Sequence, residues 1–297
     1  MARIGFVGLG NMGLPMAQNL LKAGHQVEGV DVNPASIEKL KAAGGVGVET
    51  AKSAAARADV VITMLPSGKE VREVYLGSSG IIANANSGTL LIDCSTIDVE
   101  TARAVAAAAE KNGLLMLDAP VSGGVGGATA ATLTFMVGCS AQAFVRAESI
   151  LQKMGKTIVH AGGAGNGQAA KICNNMILGV SMIAVSEAFV LAEKLGLDHQ
   201  KLFDISSKSS GQCWSLTTYC PVPGPVPTSP ANRDYQAGFT AAMMLKDLKL
   251  AQEAARSAGA NTPLGAQAGT IYEHFVQSGE QGRDFSGIVR FLRSGKS

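Results

Sequence analysis

The stretch Arg3–Asp31, RIGFVGLGNMGLPMAQNLLKAGHQVEGVD, decides the fold. It opens on a short β-like run, RIGFVG, and passes at once into Gly8-Leu9-Gly10-Asn11-Met12-Gly13. A helical pattern follows as far as Ala23-Gly24, then a second strand, Gln26 to Val30, which ends in Asp31. This is G-x-G-x-x-G in the setting that gives it weight: strand, glycine turn, helix, strand, and an acid about twenty residues on. Each position answers a physical demand. Gly8 permits the tight turn, Gly10 lets the backbone approach a pyrophosphate, and Gly13 allows the helix to pack close on the strand. The helix N-terminus, reached through Asn11 and Met12, offers free N–H groups and the positive end of a dipole to phosphates. Asp31 would accept hydrogen bonds from a ribose 2′-hydroxyl and repel a 2′-phosphate, so the pattern predicts NAD rather than NADP.

Working outward, the α/β alternation continues. A short helix closes over 54–58, and Asp59 to Leu65 is an apolar strand ending in Pro66-Ser67. Helical residues 68–75 precede a strand, Leu90-Leu91-Ile92, that ends at Asp93-Cys94-Ser95-Thr96. A helix from Val99 to Asn112 leads into a strand at 114–117. In open parallel sheets ligands sit beyond the carboxyl ends of the strands, which makes Leu65, Pro66 and Thr96 candidates for lining the cofactor. Helix capping is the competing role for Thr96, although Asp98 is the better cap for a helix starting near Val99. The segment Asp118 to Ala128, DAPVSGGVGGA, then packs four glycines and a serine into seven residues. Such a loop can point several N–H groups at one anion, or it can simply be a flexible connection; its place after a strand favours the anion. A strand at 133–137, a helix at 141–154 and a strand at 157–160 complete a first domain, 1–163.

From Gly163 to Leu195 the chain reads GAGNGQAAKICNNMILGVSMIAVSEAFVLAEKL, with no proline and, beyond the glycine-broken entry, one internal glycine, Gly179. Apolar residues recur at helical spacing, and Leu195-Gly196 supplies a stop. A helix over about 165–195 is expected to join the two domains. Lys171 and Asn175 stand four apart, and so project from one face. A lysine and an asparagine on an apolar helix are costly to bury without a purpose, whereas a partly exposed first turn would let the lysine reach water. Beyond Gly196 the β signal disappears. Residues 198–208, 240–258, 263–279 and 285–293 read as helices, so 164–297 is expected to be all-α. A long stretch, 209–238, carries Cys213-Trp214-Ser215 and five prolines between Pro221 and Pro230. Loops of that length in compact domains are more often functional than idle. Lys246-Asp247 lies on an otherwise apolar helix, where a surface lysine is the plain alternative to a site residue.

Composition bounds the answer. The 297 residues are 46% hydrophobic and 16% charged, with 36 glycines and a net charge of +2, a profile of a compact enzyme rather than of a nucleic-acid or membrane-surface binder. The most apolar run, 176–195, is interrupted by Ser181, Ser186, Glu187, Glu193 and Lys194, and reads as too broken to span a membrane. Five scattered cysteines without a Cys-x-x-Cys pair suggest reduced thiols, and the four dispersed histidines offer no metal set. The first strand starts so close to Met1 that no signal or transit peptide is expected, which implies the cytoplasm in a bacterium or the mitochondrial matrix for a mature eukaryotic form.

These motifs resemble the β-hydroxyacid dehydrogenase family along nearly the whole chain. The resemblance is carried by GFVGLGNMGLPMAQNL at 5–20, TMLPS at 63–67, LLIDCSTID at 90–98, DAPVSGGVGGA at 118–128, GQAAKICNNM at 167–176 and LKDLKLA at 245–251. The tryptophan- and proline-bearing stretch 209–239 is similar to the branch that acts on 3-hydroxyisobutyrate; other branches act on tartronate semialdehyde, serine or 4-hydroxybutyrate. The resemblance implies a Rossmann-type α/β domain that binds NAD, an all-helical second domain, and a homodimer or homotetramer. It implies that Lys171 is the catalytic base and Asn175 orients the substrate hydroxyl. Ser122, Gly123 and Gly124 would hold the substrate carboxylate, with Thr96 and Lys246 close to the nicotinamide end and the substrate. The chemistry agrees, because a lysine acts as a base only when neutral, and desolvation lowers a lysine's pKa toward ~7–8. The rivals are a sister enzyme for another short β-hydroxy acid, and a cofactor-binding scaffold without catalysis.

Overall fold

The computed structural model describes residues 1–295; the last two residues of the expected second domain, 164–297, lie outside them. The chain divides into two compact units, Met1–Lys171 and a second beginning at Ile172. The division falls inside a single continuous helix.

The first unit is built on strands β1 (Arg3–Val7), β2 (Gln26–Val30), β3 (Val46–Gly47), β4 (Val60–Thr63), β5 (Leu90–Asp93), β6 (Leu115–Asp118), β7 (Val121–Ser122), β8 (Leu133–Gly138) and β9 (Gly155–Gly162). Their order is β3-β2-β1-β4-β5-β6-β8-β7, with β9 also paired to β8. From β3 to β6 every pairing is parallel, with Ile4 opposite both Val27 and Val60, and Leu90 opposite both Val60 and Leu115. The order reverses between β1 and β4, the switch point at which doubly wound sheets bind ligands. The parallel pattern does not continue to the end. β8 runs antiparallel to β6 and β7, a reversal that the alternation of elements along the chain did not announce.

Alternation along the strands builds two cores. Ile4, Phe6, Val60, Ile62, Leu90 and Ile92 enter one buried cluster with Met16 and Leu20, whereas Val7, Val61 and Leu91 enter another with Val71, Tyr75 and Val105. A period of two on a sheet covered on both sides requires this division. The covering helices are α1 (Gly13–Lys22), α2 (Pro34–Ala42), α3 (Ala51–Ala55), α4 (Gly68–Leu76), α5 (Ile81–Asn84), α6 (Val99–Lys111), α7 (Gly124–Ala130) and α8 (Ala141–Leu151). Asp98 caps α6, accepting the Thr101 N–H at 2.7 Å, as its position before Val99 predicted. The glycine-rich segment differs from expectation. It is not an open loop: after Gly123, at φ +132°, it turns into α7, whose Ala128 carbonyl accepts the buried Asn19 amide of α1 at 2.6 Å.

The connecting helix α9 (Asn166–Lys194) runs 29 residues. An 18-residue window in it has a mean hydropathy of 1.8, so by length and composition it is apolar enough to cross a membrane, contrary to the reading of its polar interruptions. Ser181 and Ser186 are mild breaks, and Glu187, Glu193 and Lys194 gather toward its end, which leaves the rest of the window apolar. In the second unit α9 is a core helix. Met182 and Ile183 pack with Met244, Leu248, Tyr272, Phe275, Phe285 and Ile288. Gly179 explains itself here, since a Cβ at that position would lie 3.1 Å from Met244 Sδ and Leu248 Cδ2.

The remaining helices are α10 (His199–Ser206), α11 (Trp214–Thr217), α12 (Ala241–Ala258), α13 (Pro263–Phe275) and α14 (Ile288–Arg293). The proline-bearing stretch is ordered around buried polar anchors. Tyr235 OH donates to the Pro221 carbonyl at 2.8 Å, and Ser229 Oγ to that of Cys220 at 2.5 Å. Buried Asp284 accepts Tyr219 OH at 2.9 Å and the N–H groups of Gly238 and Phe239 at 2.9 and 3.2 Å. Side chains of the stretch, among them Leu216, Val222, Val226 and Tyr235, share a second apolar cluster with Phe189 and Val289.

Candidate active site

The sheet brings the nucleotide-side candidates to one place, the carboxyl ends of β1, β2, β4 and β5. Gly8 has φ +94°, and a Cβ there would sit 2.3 Å from the Met64 carbonyl and 3.3 Å from Leu65 Cδ2. The turn after β1 is thus pressed against the end of β4. A Cβ on Gly13 would come within 1.9 Å of the Gly8 carbonyl, so helix α1 starts as close to the turn as backbone permits. Gly10 is different: it is exposed, and a Cβ there meets nothing within 4 Å. The demand for glycine at Gly10 does not come from the protein's own packing, which fits the approach of a dinucleotide phosphate. Asn11 is exposed and Met12 half-buried, and α1 begins without a side-chain cap. Its first N–H groups have no partner within the helix.

Asp31 is held in place. Its Oδ2 accepts the Leu9 N–H at 2.5 Å and its Oδ1 the Asn33 N–H at 2.7 Å, so the acid at the end of β2 is tied to the glycine turn. Half-buried and pinned there, it is placed to accept from a ribose. The residues present therefore fit NAD, and Gly8, Gly10, Asn11, Met12, Gly13 and Asp31 are the ones that would cradle it.

Leu65 is half-buried and Pro66 exposed; the Leu65 N–H donates to Ser95 Oγ at 2.8 Å, which joins the ends of β4 and β5. Ser95 Oγ in turn donates to Asp93 Oδ1 at 2.5 Å, and Thr63 Oγ1 donates to the same oxygen at 2.7 Å. Burial pushes the Asp93 carboxyl above its ordinary range, against the pull of the Ser95 and Thr63 hydrogen bonds. Thr96, half-buried, follows directly. Ser122, half-buried, ends β7; exposed Gly123 and half-buried Gly124, at φ +132° and +61°, form the turn into α7.

Lys171 closes the first unit and is 6% exposed; Asn175, one turn further along α9, is 2% exposed. Both are buried, which removes the reading of Lys171 as a lysine reaching water. In the second unit Asn175 Nδ2 donates to Asp247 Oδ2 at 2.5 Å, and Asn175 Oδ1 accepts the Asn174 amide at 2.9 Å. Lys246 is half-buried on α12, with its Nζ 3.8 Å from Asp247 Oδ1.

Three residues of this arrangement carry no role in the sequence reading: Asp247, Asp118 and Gln168. Each is buried, and each fixes a named candidate or its neighbours. Asp247 orients Asn175. Asp118 accepts the N–H groups of Gly165 and Gln168 at 2.7 and 2.9 Å, capping the start of α9. Burial pushes its carboxyl up to about 6 even against those two donors. The signal available in the sequence was an acid beside apolar neighbours, as in Leu245-Lys246-Asp247-Leu248, which states a cost but names no partner.

Known proteins resemble the chain along its whole length. A family model described as the NAD binding domain of 6-phosphogluconate dehydrogenase matches residues 3–163, and one described as the NAD-binding domain of NADP-dependent 3-hydroxyisobutyrate dehydrogenase matches 165–292. The chain is 52% identical over 294 residues to a probable 3-hydroxyisobutyrate dehydrogenase of Mycobacterium tuberculosis, covering 99% of each. It is 47% identical over 292 residues to an NAD-dependent L-serine dehydrogenase of Pseudomonas aeruginosa, covering 98% of each. A solved structure of the Mycobacterium tuberculosis 3-hydroxyisobutyrate dehydrogenase with L-serine superposes with a TM-score of 0.95 at 52% identity, over 99% of both chains. The chain belongs to the β-hydroxyacid dehydrogenase family, among the NAD-dependent oxidoreductases related to 3-hydroxyisobutyrate dehydrogenase.

Proposed function

We propose that the protein oxidises 3-hydroxyisobutyrate to methylmalonate semialdehyde, a step of valine breakdown, with Lys171 as the general base. The observation that carries this reading is the burial of Lys171 and Asn175 one turn apart on an apolar helix. Bound NAD supplies the hydride acceptor. Lys171 Nζ takes the hydroxyl proton as the carbonyl forms, and returns it in the reverse direction. Asn175 donates to the substrate oxygen as negative charge develops; its Nδ2 carries two hydrogens, and the bond to Asp247 uses one. Ser122, Gly123 and Gly124 hold the carboxylate, which fixes orientation more than affinity. Thr96 and Lys246 flank the reacting end. Asp31 favours NAD over NADP through repulsion of a 2′-phosphate.

Lys171→Ala should lower kcat by about 10²–10⁴, the usual share of a general base. Lys171→Arg should be nearly as damaging, because a guanidinium stays charged and cannot take the proton. Steady-state kinetics with a fluorescence titration of NAD checks both, and wild-type turnover in Lys171→Arg would remove the assignment.

The relative named L-serine dehydrogenase, and the 3-hydroxyisobutyrate dehydrogenase structure solved with L-serine, favour a second reading of the same site, in which the substrate is a short β-hydroxy acid bearing an amine. A panel of 3-hydroxyisobutyrate, L-serine, tartronate semialdehyde and 4-hydroxybutyrate, each with NAD and NADP, decides it by kcat/KM. The expected order places 3-hydroxyisobutyrate with NAD first. Equal efficiency with NADP would show that Asp31 does not select the cofactor.

Assembly as a homodimer or homotetramer is part of the same proposal. Cys173, Ile177, Ala184, Ala188, Leu191 and Leu195 are exposed at helical spacing, with Ile177 67%, Leu191 59% and Leu195 75% exposed. Such an apolar stripe on a protein surface marks an interaction site.

A further inference from the structure

Gln168 lies one turn before Lys171 on α9 and is fully buried. Both ends of its amide are committed to backbone. Nε2 donates to the Ser95 carbonyl at 2.7 Å, and Oε1 accepts the Ile97 N–H at 3.1 Å. These are the residues immediately before and after Thr96. The Gln168 main chain is fixed in turn, its N–H donating to Asp118 Oδ2 at 2.9 Å. Ser95 is held from the other side by Asp93 and by the Leu65 N–H. One helical turn therefore gathers the ends of β4, β5 and β6. A primary amide suits this place because it donates from one end and accepts at the other, to a backbone that offers the complement.

We propose that Gln168 is a positioning residue for the reaction, holding the Thr96 turn in register with Lys171. The inference rests on the reading above, in which Thr96 and Lys171 belong to the reacting site. Gln168 touches no reactant; it acts through Thr96. A displacement of the order of an ångström in such a group costs about a hundredfold in rate at the extreme, so even partial loss of register is measurable in kcat.

The test is a double-mutant cycle of Gln168→Met with Thr96→Ala, joined to a pH profile of Gln168→Glu. Gln168→Met should lower kcat about tenfold in the wild-type background, with the affinity for NAD changed less than threefold. In the Thr96→Ala background the same change should cost less than twofold, because the group it positions is gone. Gln168→Glu keeps the acceptor for Ile97 but sets a carboxylate against the Ser95 carbonyl. Protonation restores the donor, so its kcat relative to wild type should recover as the pH is lowered, whereas Gln168→Met shows no such recovery. A tenfold loss in both backgrounds would overturn the proposal and leave Gln168 a stabilising residue only. Wild-type kcat in Thr96→Ala would instead show that Thr96 is outside the reacting site, and would take the proposal down with that reading. Should Gln168→Met fail to fold, as judged by circular dichroism, the near-isosteric Gln168→Glu carries the test through its pH profile: recovery supports the proposal and a flat ratio to wild type overturns it.

Discussion

Two helices begin in the first unit, α1 after strand β1 and α9 after strand β9, and their N-termini are finished in opposite ways. Helix α1 is entered through Gly8–Gly13, has no side-chain cap and has no acid in its first turn. Helix α9 is entered through Gly165, and the buried carboxylate of Asp118 takes its Gly165 and Gln168 N–H groups. Both entrances need glycine for close approach: a Cβ on Gly13 would meet the Gly8 carbonyl at 1.9 Å, and one on Gly167 would meet that of Met136 at 2.4 Å. What differs is the source of the negative charge. At α9 the protein supplies it, and the helix end becomes a joint between strands. At α1 no side chain caps the helix, and such an end suits a phosphate. A glycine turn alone does not tell the two apart; a carboxylate that accepts an N–H of the helix's own first turn does, as Asp118 accepts that of Gln168, whereas Asp31 accepts only the Leu9 N–H ahead of α1.

The comparison is easiest to break at Gly13. Gly13→Ala drives a methyl into a main-chain carbonyl that has no flexible end to give way. The expected result is a loss of about 3 kcal/mol or more in unfolding free energy, the upper range for forced overpacking, and a rise in the Kd for NAD of at least a hundredfold. Denaturant melts and an NAD titration measure the two, and full stability in this variant would mean the turn is not packed as described.

Removing the internal cap should separate stability from binding. Asp118→Ala leaves two buried N–H groups without an acceptor, at about 1–3 kcal/mol each, so a loss of about 2–6 kcal/mol is expected. The Kd for NAD should move less than threefold, since the end that suits a phosphate belongs to the other helix; a tenfold change would show that the two ends are not independent.

The pH dependence of that loss sharpens the point. The folded carboxyl titrates at about 6, above the 3.8 of a free aspartate. The folded protein therefore holds this proton more tightly than the unfolded chain, and the contribution to stability is full below about pH 4 and is lost as the pH rises to about 6. The gap in unfolding free energy between wild type and Asp118→Ala should widen by about 1–2 kcal/mol from pH 7 to pH 4.5. A gap that narrows on acidification would reverse the assigned sign.

Gly10→Ala is the mildest change and the most selective. Its methyl meets nothing of the protein, so the melting midpoint should stay within about 0.5 kcal/mol of wild type. Only NAD binding should weaken, by about tenfold. A stability loss without a binding loss would place the glycine requirement in packing after all.

Much of this was legible before any tertiary contact was known. The glycine turn, the alternation of strands and helices, Asp98 as a cap and the extent of the connecting helix all rest on local rules, namely backbone sterics, side-chain periodicity and capping. The expected helix over 165–195 and the observed Asn166–Lys194 differ by a residue at each end. Lys171 and Asn175 were legible too, because polar residues at helical spacing on an apolar face carry a burial cost that asks for a reason. The antiparallel turn of β8, the helical form of Gly124–Ala130 and the order within the proline-bearing stretch were not. Each depends on partners far away in the chain, such as Asn19 for Ala128 or Asp284 for Tyr219.

The sequence by itself determined the Rossmann-type fold that binds NAD and which side chains are costly to bury, since both follow from residues close together along the chain. Only the tertiary structure decided what holds them. Gln168 reads as an ordinary polar residue of a first helical turn until Ser95 and Ile97, more than seventy residues earlier, are found on either end of its amide. Asp118 reads as the acid before a proline until it caps a helix some fifty positions on. A buried hydrogen bond is a property of a pair, and a pair distant in sequence leaves no local trace in either member.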